Sequence, residues 1–301
     1  MISVNNLTFD YPGKRALTEV AFKIEANTIT ALVGPNGAGK TTLLHCIAAL
    51  DLPYTGQIEV NGLDVLENPR KAHTFMGYLP DFYGLYNELS VRQCLMYHAM
   101  VQNIAKEERN DRINDIATQL GIEHQLNQLS GTLSRGQRQR LGIAQAIIHR
   151  PKVLLLDEPA TGLDPESRIH LSELLVNLKK QGTTIIVSSH ILTELEDYST
   201  HMLILREGRI VKHCAISESE SKKRLLLQLS QPSEDVLSFL ETKADISDIK
   251  KENETTFSFY FSGDVAARSA LLKELLNKDF SVIALSEIHE DMNAIYMSST
   301  K

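Results

Sequence analysis

The run Gly34-Pro35-Asn36-Gly37-Ala38-Gly39-Lys40-Thr41-Thr42 combines three glycines, one lysine and two hydroxyls in the spacing G-x-x-x-x-G-K-[ST]. Gly37 and Gly39 let the backbone curl so that successive N–H groups face one anion, and the helix that follows adds the partial positive charge of its N-terminus. Lys40 can then reach the outer phosphates of a nucleoside triphosphate, and the Thr41 hydroxyl can ligate Mg²⁺. The flanks suit this chemistry, with an apolar strand at Ile29 to Val33 before the loop and an apolar helix predicted over Leu43 to Leu50 after it.

Phosphoryl chemistry also needs a carboxylate for the metal and one for the attacking water. Val153-Leu-Leu-Leu-Asp157-Glu158 supplies both at the end of an apolar strand. Asp157 is placed to hold Mg²⁺ through water, and Glu158, one residue further out, to accept a proton from the hydrolytic water or orient it.

These residues must be carried by a scaffold, and the chain has the material for one. It has 301 residues, 43% hydrophobic and 23% charged, enough for one large and one smaller domain and too apolar for disorder. No apolar run approaches the roughly 20 residues of a membrane span, and the N-terminal residues lack a signal-peptide pattern, so the expected location is the cytoplasm. The net charge of -7 argues against a broad nucleic-acid-binding face and leaves room for a local basic patch. Cys46, Cys94 and Cys214 form no C-x-x-C pair, which argues against a disulfide framework or zinc knuckle.

Ile29 to Val33, Val153 to Leu156 and Thr184 to Val187 read as parallel strands buried on both faces. From about Leu85 to His149 the periodicity is helical: Ser90 and Gln93 form a capping-box pattern, and Ile113, Ile116, Ala117 and Leu120 form an apolar stripe. The polar run Ser217 to Arg224 reads as a linker or an exposed helix start, placing a boundary near 216. Beyond it, strands are predicted at Leu225 to Leu229, Thr256 to Phe261 and Val282 to Leu285, with helices at Val236 to Glu241 and Ala266 to Asn277. This segment has 10 basic against 15 acidic residues and does not read as a nucleic-acid module.

Leu133-Ser134-Arg135-Gly136-Gln137 stands shortly before the Asp-Glu strand. By itself Ser134-x-x-Gln137 is a helix N-cap pattern, which is also compatible with a phosphate site at that helix end. Together with the glycine-rich loop, the pentapeptide resembles the signature motif of ATP-binding cassette (ABC) proteins. Other family positions follow in order. Tyr11, alone a surface or core tyrosine, matches the aromatic that stacks on adenine. Ala160-Thr-Gly-Leu-Asp164 resembles the D-loop that contacts a second subunit, although Asp164 before Pro165 also reads as a turn aspartate. His190, after Ser188-Ser189, matches the switch histidine of the γ-phosphate.

The resemblance implies an α/β fold. Residues 1–215 would form a P-loop nucleotide triphosphatase domain with a parallel-sheet core, an antiparallel β subdomain and a helical subdomain at about 85–150. Residues 216–301 would form a small α+β accessory domain. It implies an ATPase with ATP and Mg²⁺ as cofactors. Glu158, His190 and Lys40 would be catalytic, and residues 34–42, Tyr11, Asp81, Ser134, Gly136, Gln137 and Asp164 would bind nucleotide. Thr41, Asp81 and Asp157 would be the metal ligands. Asp81, in Gly77-Tyr78-Leu79-Pro80-Asp81, replaces the family's usual glutamine; it keeps an acceptor and loses the amide donor.

That acidic replacement and the run before it look like the subunits that power exporters. Because loop and signature face apart within one family subunit, a homodimer enclosing two ATP is implied. So are separate membrane permease subunits, docking around Asp81 to Ser90 and holding the transported substrate away from this chain. The aromatic run Phe82-Tyr83-Gly84-Leu85-Tyr86 suits that contact and equally suits a buried loop anchor. An importer subunit, or an ATPase acting on ribosomes or DNA, are the competing classes; the single cassette, the lack of a long coiled coil and the acidic balance weigh against the latter.

Overall fold

The computed structural model describes residues 1–82, 84–216, 223–233, 235–288, 292 and 296. The chain divides into two compact units, Met1–Ile216 and 217–298.

The first unit opens with an antiparallel pair, β1 (Ile2–Tyr11) and β2 (Lys14–Ile24), followed by the fully buried β3 (Ile29–Val33). The glycine-rich loop then leads into α1 (Lys40–Ile47). This helix starts and ends three residues before the span expected from apolarity. Gly39 caps it in the left-handed region at φ 106°, so helical geometry begins at Lys40; beyond its C-terminus the left-handed Ala49 prevents continuation. Next come β4 (Thr55–Val60), β5 (Leu63–Asp64), the short α2 (Pro69–Ala72) and β6 (Met76–Leu79).

The helical region contains α3 (Val91–Val101), α4 (Arg109–Gln119) and α5 (Arg135–Ile147). Ser90 and Gln93 close both bonds of a capping box at α3, and Ile113, Ile116, Ala117 and Leu120 are buried. The chain returns through β7 (Val153–Asp157), α6 (Pro165–Lys180), β8 (Thr184–Ser189), β9 (His201–Arg206) and β10 (Arg209–Ala215).

One sheet has the order β2-β1-β4-β5 and the other β10-β9-β3-β8-β7-β6. In the second, β9, β3, β8, β7 and β6 run parallel, so their carboxyl ends lie along one edge. Buried residues of α1, among them Leu43, Leu44 and Ile47, belong to one core with Leu7, Leu17 and Ile58 of the first sheet and Leu32, Leu155 and Leu203 of the second. Side chains of that size each contribute about 1.5–3 kcal/mol on full burial, so the helix that follows the loop is firmly anchored.

The second unit comprises β11 (Lys223–Leu229), α7 (Asp235–Glu241), β12 (Ile246–Lys251), β13 (Thr256–Phe261), α8 (Val265–Asn277) and β14 (Val282–Ile288). Its sheet order, β12-β13-β11-β14, with antiparallel neighbours, is the split βαβ arrangement. The core is its own: Leu225, Leu227, Val236, Leu240, Phe257, Phe259 and Leu275. Strand β12 carries no strand-like alternation of apolar residues, being an edge strand with polar residues between Ile246 and Ile249. Of the run read as a linker or helix start, residues 217–222 lie outside the described residues, and Arg224 is already in β11.

Candidate nucleotide-binding site

Four loops leave the carboxyl ends of parallel strands, the place where open α/β sheets bind ligands: 34–39 after β3, Asp81 after β6, Glu158 after β7 and His190 after β8. Between them lies a pocket of about 390 Å³, a size that suits a small-molecule ligand. Its walls include Tyr11, Asn36, Gly37, Gly39, Lys40, Thr41, Thr42, Asp81, Glu158 and His190.

The loop's shape depends on its glycines. A Cβ at Gly34 would lie 2.2 Å from the Leu205 carbonyl oxygen, and Gly37 has φ 79°, strained for any other residue. Ala38 N donates to Pro35 O at 3.1 Å, tightening the turn. Lys40, only 6% exposed, donates from Nζ to Gly34 O at 2.8 Å, and its ammonium lies 3.5 Å from Glu158 Oε1. The hydroxyl of Tyr11 lies 3.3 Å from Thr42 Oγ1, so this half-exposed ring rests against the loop's end.

The acidic pair is held by β8. Ser188 Oγ donates to Asp157 Oδ1 and accepts from the Glu158 backbone N–H at 3.0 Å. Asp157 is buried, and its Oδ2 has no hydrogen-bond partner. Glu158 adopts φ 49°, costly for a residue with a Cβ and common at sites where surrounding contacts hold strain. Its Oε2 accepts from Thr161 Oγ1 at 3.3 Å and lies 2.8 Å from His190 Nδ1. Burial, then the charges of Asp157 and Glu158, push the Asp81 carboxyl above the usual carboxylate range.

These observations fit ATP and Mg²⁺. A buried carboxylate oxygen without a partner is a cation ligand in waiting, and a lysine satisfied by loop carbonyls is placed for phosphate. Asp157, with the Thr41 hydroxyl and Asp81, would hold the metal; the loop and Lys40 would hold the phosphates.

Several expected residues are elsewhere. Gly34, Pro35 and Ala38 shape the loop without lining the pocket, and Asp157 stands behind it through Ser188. Ser134, Gly136 and Gln137 also lie outside it. Ser134 caps α5, accepting from Gln137 N at 3.3 Å while Gln137 Oε1 accepts from Ser134 N at 2.9 Å. Asp164 caps α6: its carboxylate accepts from the N–H and hydroxyl of Ser167, at 2.9 and 2.8 Å, which lowers its pKa. Lys14, Ala16 and Thr161 also line the pocket, and no motif marks any of them individually as a site residue. Ser188 was legible as the residue facing Asp157 once β7 and β8 are neighbours; Thr161 carried the signal of a hydroxyl three residues after Glu158.

The ABC transporter family profile matches residues 17–161. The bacitracin transport ATP-binding protein BcrA of Bacillus licheniformis is 32% identical over 263 residues, 86% of this chain and 85% of that protein. The uncharacterised ABC transporter ATP-binding protein YxlF of Bacillus subtilis strain 168 is 29% identical over 297 residues, 99% of this chain and 98% of its own length. A solved structure of an ABC transporter ATP-binding subunit, 30% identical, superposes with a TM-score of 0.66 over 72% of this chain and 90% of its own.

Fold and site together define a P-loop ATPase that uses ATP with Mg²⁺. The chain belongs to the ABC transporter family, as an ATP-binding subunit.

Proposed function

We propose that this chain is the ATPase subunit of an exporter, pairing with a second copy around two ATP and docking on separate membrane permease subunits. The observation that carries the pairing is the division of the motifs. The loop, Lys40 and Glu158 share one pocket, whereas the capped N-terminus of α5, a ready phosphate site, lies outside it. A twofold partner supplies Ser134, Gly136 and Gln137 to Lys40 of the other chain and completes both sites.

Within each site the loop N–H groups and Lys40 bind and orient the triphosphate. Glu158, held by Ser188, Thr161 and His190, orients the attacking water and takes its proton at Oε2 or Oε1, while His190 faces the γ-phosphate. The bound metal neutralises phosphate charge. Asp164 keeps its α6 capping role while its loop approaches the partner.

Among the described residues no helix is long and apolar enough to cross a membrane, which supports a separate permease and a peripheral place on the inner face of the cytoplasmic membrane. Phe82, 93% exposed, and Tyr86, in T-shaped contact with Tyr97, support the docking region at Asp81 to Ser90; Tyr83 lies outside the described residues. Asp81 and the likeness to a bacitracin transport subunit support export. Residues 1–215 act as the nucleotide-binding domain and 216–301 as an accessory domain, with no nucleic-acid partner.

The test is co-purification with a co-expressed candidate membrane permease and reconstitution in vesicles with the ATPase outside. ATP-driven uptake into these inverted vesicles supports export; transport requiring a substrate-binding protein makes it an importer.

A further inference from the structure

We propose that Arg135 is a positioning residue for Glu158, acting through Thr161, and that it thereby couples the two half-sites carried by one chain. The proposal rests on Glu158 as the residue that handles the attacking water. Arg135 opens α5 directly after its N-cap Ser134. Its Nη2 donates to the Thr161 carbonyl oxygen at 2.8 Å. The guanidinium lies flat against Gly162, φ 69°: a Cβ there would come within 2.2–2.4 Å of its atoms.

Thr161 in turn holds Glu158 twice, through Oγ1 to Oε2 at 3.3 Å and through its N–H to Glu158 O at 3.1 Å. A second contact brackets the same loop. A Cβ on Gly136 would lie 2.6 Å from Ser167 Oγ, and Ser167 is bonded to Asp164. One helix end therefore meets this loop directly at Thr161 and Gly162 and, through Ser167, at Asp164. Glu158 needs such a grip, because its backbone at φ 49° relaxes unless its neighbours hold it.

Ser134 belongs to the half-site completed by a second copy, so capping the partner's nucleotide displaces or fixes the very helix end that carries Arg135. That constraint reaches Glu158 of the same chain through two hydrogen bonds. The glycine commonly found at this position of the signature has no side chain to transmit it.

The experiment compares steady-state ATP hydrolysis by the full chain with Arg135→Gly and Arg135→Lys, with ATP binding measured by calorimetry on the same preparations. Arg135→Gly should lower kcat about tenfold, less than the roughly hundredfold that a misplacement of about 1 Å produces, with KM within about twofold. Arg135→Lys should recover part of kcat, since an ammonium can keep the bond to Thr161 O but cannot lie flat on Gly162. If Arg135→Gly fails to bind ATP, Arg135→Lys decides alone: lowered kcat at unchanged KM supports the proposal. A raised KM at unchanged kcat places the guanidinium on nucleotide and overturns it, as do unchanged kcat and KM. Full turnover by Glu158→Gln would overturn the underlying reading as well, independently of Arg135.

Discussion

Nδ1 of His190 stands 2.8 Å from Oε2 of Glu158, joining the ends of two neighbouring parallel strands in the wall of the candidate nucleotide pocket. The other carboxylate oxygen of Glu158 faces the ammonium of Lys40 at 3.5 Å. Glu158 therefore sits between a group that can orient it and the buried ammonium of the glycine-rich loop, with its backbone pinned by Ser188.

Glu158→Gln keeps the shape and the hydrogen-bonding reach of the side chain but removes its capacity to take a proton. ATP binding should persist, turnover should fall at least about a hundredfold, and a dimer should accumulate. Size-exclusion chromatography with ATP and Mg²⁺ showing only monomer would count against the shared site.

Lys40→Ala removes a buried cation from the loop and leaves the Gly34 carbonyl without its donor. In the proposed site Lys40 also supplies a charge-assisted contact to phosphate, so calorimetric titration with ATP should show no binding at concentrations that saturate the unaltered protein. An unchanged isotherm would remove the loop from the site.

Ser188→Ala takes one hydroxyl from two partners at once, the Asp157 carboxylate and the Glu158 N–H. Leaving buried polar groups unpaired costs about 1–3 kcal/mol, and Glu158 loses its backbone anchor. The expected result is a lowered melting temperature of the first unit together with a fall in kcat. Wild-type kcat in a destabilised variant would show that Ser188 serves folding alone.

His149 and His98 give the stability a pH dependence. Burial holds both imidazoles below their ordinary value of 6.5; for His149 a bond to Met76 O opposes this, and the nearby Arg112 and His98 add to it. A depressed folded pKa means that the unfolded chain takes up a proton first. Stability is therefore full above pH 6.5 and declines as pH falls below it toward the folded values. His149→Gln, which can still donate to Met76 O, should flatten part of that slope in denaturant titrations between about pH 7 and pH 5. An unaltered slope would exclude His149 as its source.

Most of the site's inventory was legible in the chain itself. The glycine-rich loop, Lys40, the Asp157-Glu158 pair and His190 are local signals: each needs only a strand, a turn and the right residue at the strand's end. The second unit was legible for the same reason, apart from its polar edge strand β12. Strands β6 and β9 were less so: β6 is four residues with a glycine among them, and the apolar run Met202 to Leu205 of β9 is too short for its period to tell a strand from a buried helix turn.

Which groups meet was decided only by the folded chain. Parallel pairing of β7 and β8 puts Ser188 opposite Asp157, thirty-one residues away in sequence. The grip of Arg135 on Thr161 spans twenty-six residues, and nothing in either segment encodes the distance between them. Residue type and spacing along the chain determine what a segment can bind and which way its backbone turns. Contacts between segments depend on strand order and helix packing, which arise from burial summed over the whole core and cannot be assigned to any one stretch of residues.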